Sequence, residues 1–140
     1  MKTLKQIPKI TTAVSFLLLM AAVFALFQGR KHDLFKIKNI DALLPDFYTH
    51  ISNFCLSYLL YAGIGYFWLM AGIRFKHIIA LGGATIAANI IYESFRDILN
   101  TPDFTDAYYG LAGTAFAFLF LLVSKKYGFV PNPRSNTPKS

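Results

Sequence analysis

The sequence predicts an all-α polytopic membrane protein with four transmembrane helices, and three observations lead there. Hydrophobic residues fill 55% of the 140 positions, charged residues only 15%, and mean hydropathy is +0.45. Average soluble domains carry about 25% charged residues. The apolar positions also gather into four long runs, as a bilayer core of about 30 Å requires at roughly 20 residues per helix. These runs lack period-2 alternation, and in lipid only helices or closed barrels satisfy their own backbone groups. The composition excludes a disordered chain and argues against a soluble domain. One domain is expected at this length.

The first run covers residues 10–27 and follows Lys2, Lys5 and Lys9. It reads as a span rather than a cleaved signal peptide, because the apolar stretch is long and Phe24 and Leu26 crowd the only plausible cleavage site. The second run covers 51–73, the third 78–95 and the fourth 107–123. Between the first two lies a long loop, residues 28–50, in which Leu34, Ile37, Ile40 and Leu44 recur at nearly helical spacing. It reads either as a short helix in the membrane interface or as an irregular loop packed on the bundle top. Residues 1–130 are expected to form the transmembrane domain. Residues 131–140, with Pro131, Pro133 and Pro138 among polar and basic residues, are expected to be a disordered cytoplasmic tail.

Loop charge gives the orientation. With the N-terminus inside, the inner segments hold nine basic residues (Lys2, Lys5, Lys9, Arg74, Lys76, Lys125, Lys126, Arg134 and Lys139) and no acidic one. The outer segments hold Arg30, Lys31, Lys36, Lys38 and Arg96 together with all seven carboxylates. The positive-inside bias places both termini in the cytoplasm. The net charge of +7 therefore reads as bilayer orientation and not as a nucleic-acid face, since no basic surface with interleaved aromatics is present. Cys55 is the single cysteine, so neither an intramolecular disulfide nor a multi-cysteine metal site exists. No metal and no cofactor is implied.

Ionisable groups inside a bilayer are costly and mark candidate sites. In the third run Thr85, Asn89, Glu93, Arg96 and Asn100 share one helical face; around the second run Asp46, His50, Asn53, Ser57, Tyr61 and Gly65 do the same. Two such stripes on neighbouring helices are expected to face each other. Gly110, Gly113 and Ala117 give the fourth run a small-residue face suited to close packing. Glu93 lies 15 residues past Ile78, or roughly 22 Å across the bilayer at about 1.5 Å per residue. These depths define an outward polar pocket of Asp46, His50, Asn53, Asn89, Glu93, Arg96 and Asp106. Several members have a plainer role available: Glu93 with Arg96 as an i,i+3 ion pair, Asp106 as a helix cap, and His50 as a satisfied interfacial histidine rather than a metal ligand; Asp46 and His50, one turn apart, are also spaced for a hydrogen-bonded pair.

Over residues 45–120 the chain resembles the VanZ-like family of small bacterial membrane proteins. Asp46-Phe47-Tyr48-Thr49-His50 is similar to the family's Asp-Lys-x-x-His, Glu93 with Arg96 to its intramembrane Glu with a polar residue three later, and Asp106 with Gly110 and Gly113 to its Asp-x-x-x-Asn-x-x-Gly. Phe47 stands in place of the family's Lys, Arg96 of its Gln and Gly110 of its Asn, and Asn100 lies near the place of its Arg. The resemblance implies a bacterial plasma-membrane protein with a cell-envelope role, the founding member being associated with tolerance to the glycopeptide teicoplanin. It names no reaction.

Four readings follow. The carboxylates and polar stripes favour an accessory protein binding a lipid-linked or cationic envelope ligand. A buried Glu in a four-helix chain also suits a proton-coupled transporter. His50 with Asp46 or Glu93 suits an outer-leaflet enzyme, through acid–base work or by holding a metal together with Asp106, although Ser57 lies too far along the helix to be its nucleophile and no HExxH, GxSxG or phosphate-cradling loop occurs. The fourth is a structural subunit of a homo-oligomer or larger complex. The lipid bilayer is a partner in every case.

Overall fold

The computed structural model describes residues 4–97 and 104–136. Among these residues it is an all-α polytopic fold with four helices long and apolar enough to cross a membrane. In chain order the elements are β1 (Gln6–Pro8), α1 (Ile10–Gln28), α2 (Ile40–Leu43), α3 (Phe47–Met70), α4 (Phe75–Asp97), α5 (Phe104–Val123) and β2 (Phe129–Pro131). The spanning helices α1, α3, α4 and α5 contain most of each expected run, with boundaries shifted by up to four residues.

Helix α3 is the centre of the bundle and supplies most of the core: Ile51, Cys55, Tyr58, Tyr61, Ala62, Tyr66 and Leu69 are all buried. It starts four residues earlier than hydropathy suggests, because Phe47 and Tyr48 are themselves buried and Asp46 takes the left-handed conformation (φ 59°) that Asp tolerates. It ends at Met70 in a Schellman motif. Gly72 adopts φ +71°, its N–H bonds the Leu69 carbonyl at 3.0 Å, and the Ile73 N–H reaches the Trp68 carbonyl at 3.0 Å.

Helix α5 lies closest against α3, through the small-residue face. Gly113 lies against the Phe54 backbone carbonyl with no room for a Cβ, Gly65 of α3 receives the Leu121 side chain in the same way, and Ala62 and Ala117 are fully buried. Helix α4 joins through Tyr61, whose hydroxyl donates to the Ile78 carbonyl at 3.0 Å and lies over Gly82. Gly83 faces open space and Ala87 is exposed. Helix α1 packs more lightly: only Val23 is buried, and Phe16 stacks on Tyr66 at 4.0 Å.

The loop after α1 is not the continuous interfacial helix that its apolar spacing allowed. A 3-10 turn at Asp33–Phe35 and the four-residue α2 are separated by Asn39 in the left-handed region (φ 67°), which interrupts helical continuity. Tyr48 ties this loop down by accepting a 2.7 Å hydrogen bond from the Ile37 N–H. Leu34 and Leu43 remain 94% and 84% exposed, which suits apolar groups held at a membrane surface.

At the opposite end the segments flanking α1 and α5 are joined. Strands β1 and β2 pair antiparallel, Gln6 opposite Pro131 and Pro8 opposite Phe129, and the Lys9 N–H bonds the Gly128 carbonyl at 2.8 Å. Asn132 adds two bonds, from Nδ2 to the Leu4 carbonyl (2.7 Å) and from its N–H to the Lys5 carbonyl (3.0 Å). Pro131 is tolerated because a two-stranded ribbon is all edge. The domain limit expected at residue 130 thus falls inside β2, and a 3-10 turn at Pro133–Asn136 carries defined backbone further. Residues 137–140 lie outside the described residues.

Candidate functional site

A cavity of about 910 Å³ lies at the end of the bundle away from the β-ribbon. Its floor is α3, which contributes Thr49, His50, Ser52, Asn53, Leu56, Ser57 and Leu60. Helix α4 supplies Thr85, Ala88, Asn89 and Tyr92, the end of α1 supplies Phe27, the turn after it Arg30, and α5 supplies Asp106. From His50 to Leu60 the floor runs ten residues, about 15 Å at 1.5 Å per residue. That length is about half the thickness of a bilayer's hydrocarbon core.

Three polar contacts organise this cavity. The His50 Nδ1 lies 2.7 Å from Asp106 Oδ1, with both side chains about one-tenth exposed. An ionised carboxylate accepts only, so the ring donates through Nδ1–H, which makes Nε2 the acceptor of a neutral ring. Deeper, Asn89 Nδ2 donates to Ser57 Oγ at 2.9 Å. Gly110 makes that bond sterically feasible, since a Cβ there would lie 2.7 Å from the Asn89 amide carbon. At the rim, Arg30 Nη1 donates to Ser52 Oγ at 3.2 Å.

The polar stripes meet as expected at Asn89 and Ser57, and His50, Asn53, Asn89 and Asp106 line one cavity. The other expected pocket members are placed differently. Asp46 is exposed at the start of α3, does not line the cavity, and leaves His50 to pair with Asp106 instead. Asp106 is not the cap of α5, because the helix begins at Phe104; it sits in the first turn, where the helix dipole favours a negative charge. The Arg96 side chain and Asn100 lie outside the described residues.

Glu93 leaves the cavity for a geometric reason. Each four-residue step overshoots a 3.6-residue turn by about 40°, so two steps from Thr85 rotate the stripe by about 80°. Tyr92, seven residues from Thr85, is nearly in phase and takes the place facing the cavity. Glu93, 7% exposed, instead lines a separate pocket of about 280 Å³ between α4 and α5 with Ile86, Ile90, Phe104, Tyr108 and Leu111. Asn89 borders both.

Sequence reasoning missed Arg30, Thr49, Ser52 and Tyr92. A 3.6-residue phase through Thr85 finds Tyr92, whereas Thr49 and Ser52 lie roughly 100° and 160° around α3 from His50 and line the cavity from beside the stripe. Arg30 lies past the end of α1, where no helical phase applies. Among the described residues no group of three or more His, Cys, Asp or Glu side chains is placed to hold a metal ion. Comparison with known proteins gives no match: no protein-family model, no curated protein and no solved structure is similar to this chain.

Proposed function

We propose that this chain is a VanZ-like protein of the bacterial plasma membrane with a cell-envelope role of the glycopeptide-tolerance type, exerted by binding an envelope ligand in the cavity between α1, α3 and α4. The observation that carries the reading is the cavity itself, a recess of about 910 Å³ that gathers Asn53, Ser57, Thr85 and Asn89 in a chain with many exposed apolar side chains, with His50 held by Asp106 at 2.7 Å. Polar groups at membrane depth are retained where they serve a site. The charge pattern supports an outward-facing mouth and cytoplasmic termini: Lys5, Lys9, Lys125 and Lys126 cluster beside the β-ribbon, while Asp33, Asp46 and Asp106 lie at the far end. The resemblance also gains a structural rationale at Gly110, where the family carries Asn. The amide of Asn89 lies over that glycine, so a different helix supplies the same chemical group.

The test is a susceptibility panel of cell-envelope antibiotics on cells expressing wild type, His50→Ala and Asp106→Asn at matched membrane levels. Wild type is expected to raise glycopeptide tolerance and both variants to lose it. Variants that protect as well as wild type refute the reading.

The 2.7 Å His50–Asp106 contact favours one second reading, an enzyme in which a carboxylate-oriented imidazole exchanges protons with a membrane-borne substrate. That reading expects His50→Ala to keep ligand binding while abolishing turnover. Loss of binding and turnover together points back to a binding site.

A further inference from the structure

We infer that the ligand of this cavity is an amphiphile with an anionic phosphate head, entering sideways from the lipid and resting its head at Arg30 and its chain along Leu56 and Leu60. The inference rests on the cavity being a ligand site and adds the ligand's chemical class.

Three features of the cavity converge on this class. Charge is graded along its length: Arg30, His50 and Asp106 sit at the mouth, whereas the part about two to three turns below holds Leu56 and Leu60 beside the neutral Ser57, Thr85 and Asn89. A wholly water-soluble ligand would leave the Leu56 and Leu60 side chains without an apolar partner. The cavity is also open at the side. Leu60 and Tyr92 line it yet are 59% and 60% exposed, so at membrane depth this wall gives onto lipid.

Charge selects the head. The ionisable groups lining the cavity, among the described residues, are Arg30, His50, Tyr92 and Asp106. The Asp106 carboxylate is engaged with His50 at 2.7 Å, whereas the hydrogen bond of Arg30 goes to the neutral hydroxyl of Ser52 at 3.2 Å. A guanidinium set on a neutral partner keeps its charge for an anion, and its planar fork matches phosphate geometry in a bidentate way. Arg30 also lies two residues beyond the end of α1, the level at which the headgroups of a bilayer sit.

The experiment uses the full chain in zwitterionic nanodiscs and measures binding of four probes: a short-chain phosphatidic acid, the matched diacylglycerol, the matched fatty acid and inorganic phosphate. Phosphatidic acid is expected to bind at least tenfold more tightly than diacylglycerol or fatty acid, and inorganic phosphate not measurably. Arg30→Gln is expected to weaken phosphatidic acid about tenfold, while Lys31→Gln, an exposed neighbour outside the cavity, leaves it unchanged. Thermal unfolding of Arg30→Gln checks that it folds. Equal binding of phosphatidic acid and diacylglycerol, or equal losses from the two variants, overturns the phosphate assignment. Tight inorganic phosphate binding overturns the lipid source, and failure of every amphiphile overturns the inference whole. The susceptibility panel reports separately on whether the cavity is a functional site.

Discussion

Replacing Gly113 with alanine tests the packing that positions the whole cavity. A methyl group there runs into the backbone carbonyl of Phe54, and a backbone atom cannot swing aside as a side-chain tip can. Overpacking of this kind costs about 1–3 kcal/mol. It is offset by roughly 0.5–1 kcal/mol of helix preference for Ala over Gly, so the expected net loss is on the order of 1–2 kcal/mol. A loss of that size changes a folded-to-open ratio by about 5–30-fold. The chain carries its own reporter, because Cys55, adjacent to Phe54, is its single cysteine and fully buried. Maleimide labelling of Cys55 in detergent micelles then reads the opening of the α3–α5 interface. Gly113→Ala is expected to label about 5–30-fold faster than wild type. Gly83→Ala is the control, since a Cβ at Gly83 meets nothing within 4 Å, and it should label no faster than wild type. If Gly113→Ala labels at the wild-type rate, or Gly83→Ala labels as fast as Gly113→Ala, close packing at Gly113 is not what holds α3 to α5.

The other predictions are read by unfolding equilibria in the same micelles. Tyr61→Phe removes the bond to the Ile78 carbonyl and should cost about 1 kcal/mol. Tyr66→Phe should be neutral or stabilising, because the Tyr66 hydroxyl is buried with no hydrogen-bond partner among the described residues; a loss as large as that of Tyr61→Phe would contradict this. Gly110→Ala pushes the Asn89 amide off Ser57, so it and Asn89→Ala should each cost about 1–2 kcal/mol. The double variant should fall clearly short of their sum, and strict additivity would mean that the two sites are independent. His50→Ala leaves Asp106 without its ring partner and should destabilise by about 1–3 kcal/mol, whereas Asp106→Gln, which retains a polar side chain, should cost less; the reverse order would show that the pair is not what holds these two helices at the mouth.

Hydropathy alone located the four spans, because a helix in lipid has to bury about twenty apolar residues in an uninterrupted run. It placed the start of α3 four residues late, since Phe47 and Tyr48 extend the helix by packing against the core and not by adding to an apolar run. The facing of Asn89 and Ser57 was legible because both lie on continuous polar stripes. The fate of Glu93 was not, because spacings of four look like a straight face in one dimension while they wind around the helix in three. The partner of His50 was hidden for another reason. Asp46 is one turn away along the chain, but Asp106 arrives from another helix, and the α3–α5 contact that brings it depends on glycines whose partners no linear pattern names. The β-ribbon, only three residues per strand, is too short to show any periodicity.

The pairing of β1 with β2 has a consequence for how the molecule is made. Its two strands lie at opposite ends of the chain, with Gln6 opposite Pro131, so the ribbon can close only after α5 has been synthesised and inserted. During translation α1 has already entered the bilayer with a single buried residue of its own, Val23, to hold it against its neighbours. It therefore waits as a loosely associated helix until Phe129–Pro131 returns to fasten it. Assembly at this end follows insertion of all four spans, with an entropic cost of closing the loop from Pro8 to Phe129 that grows only logarithmically with loop length. The cavity, one wall of which is the end of α1, acquires its lasting shape only when a ribbon on the opposite side of the membrane has formed.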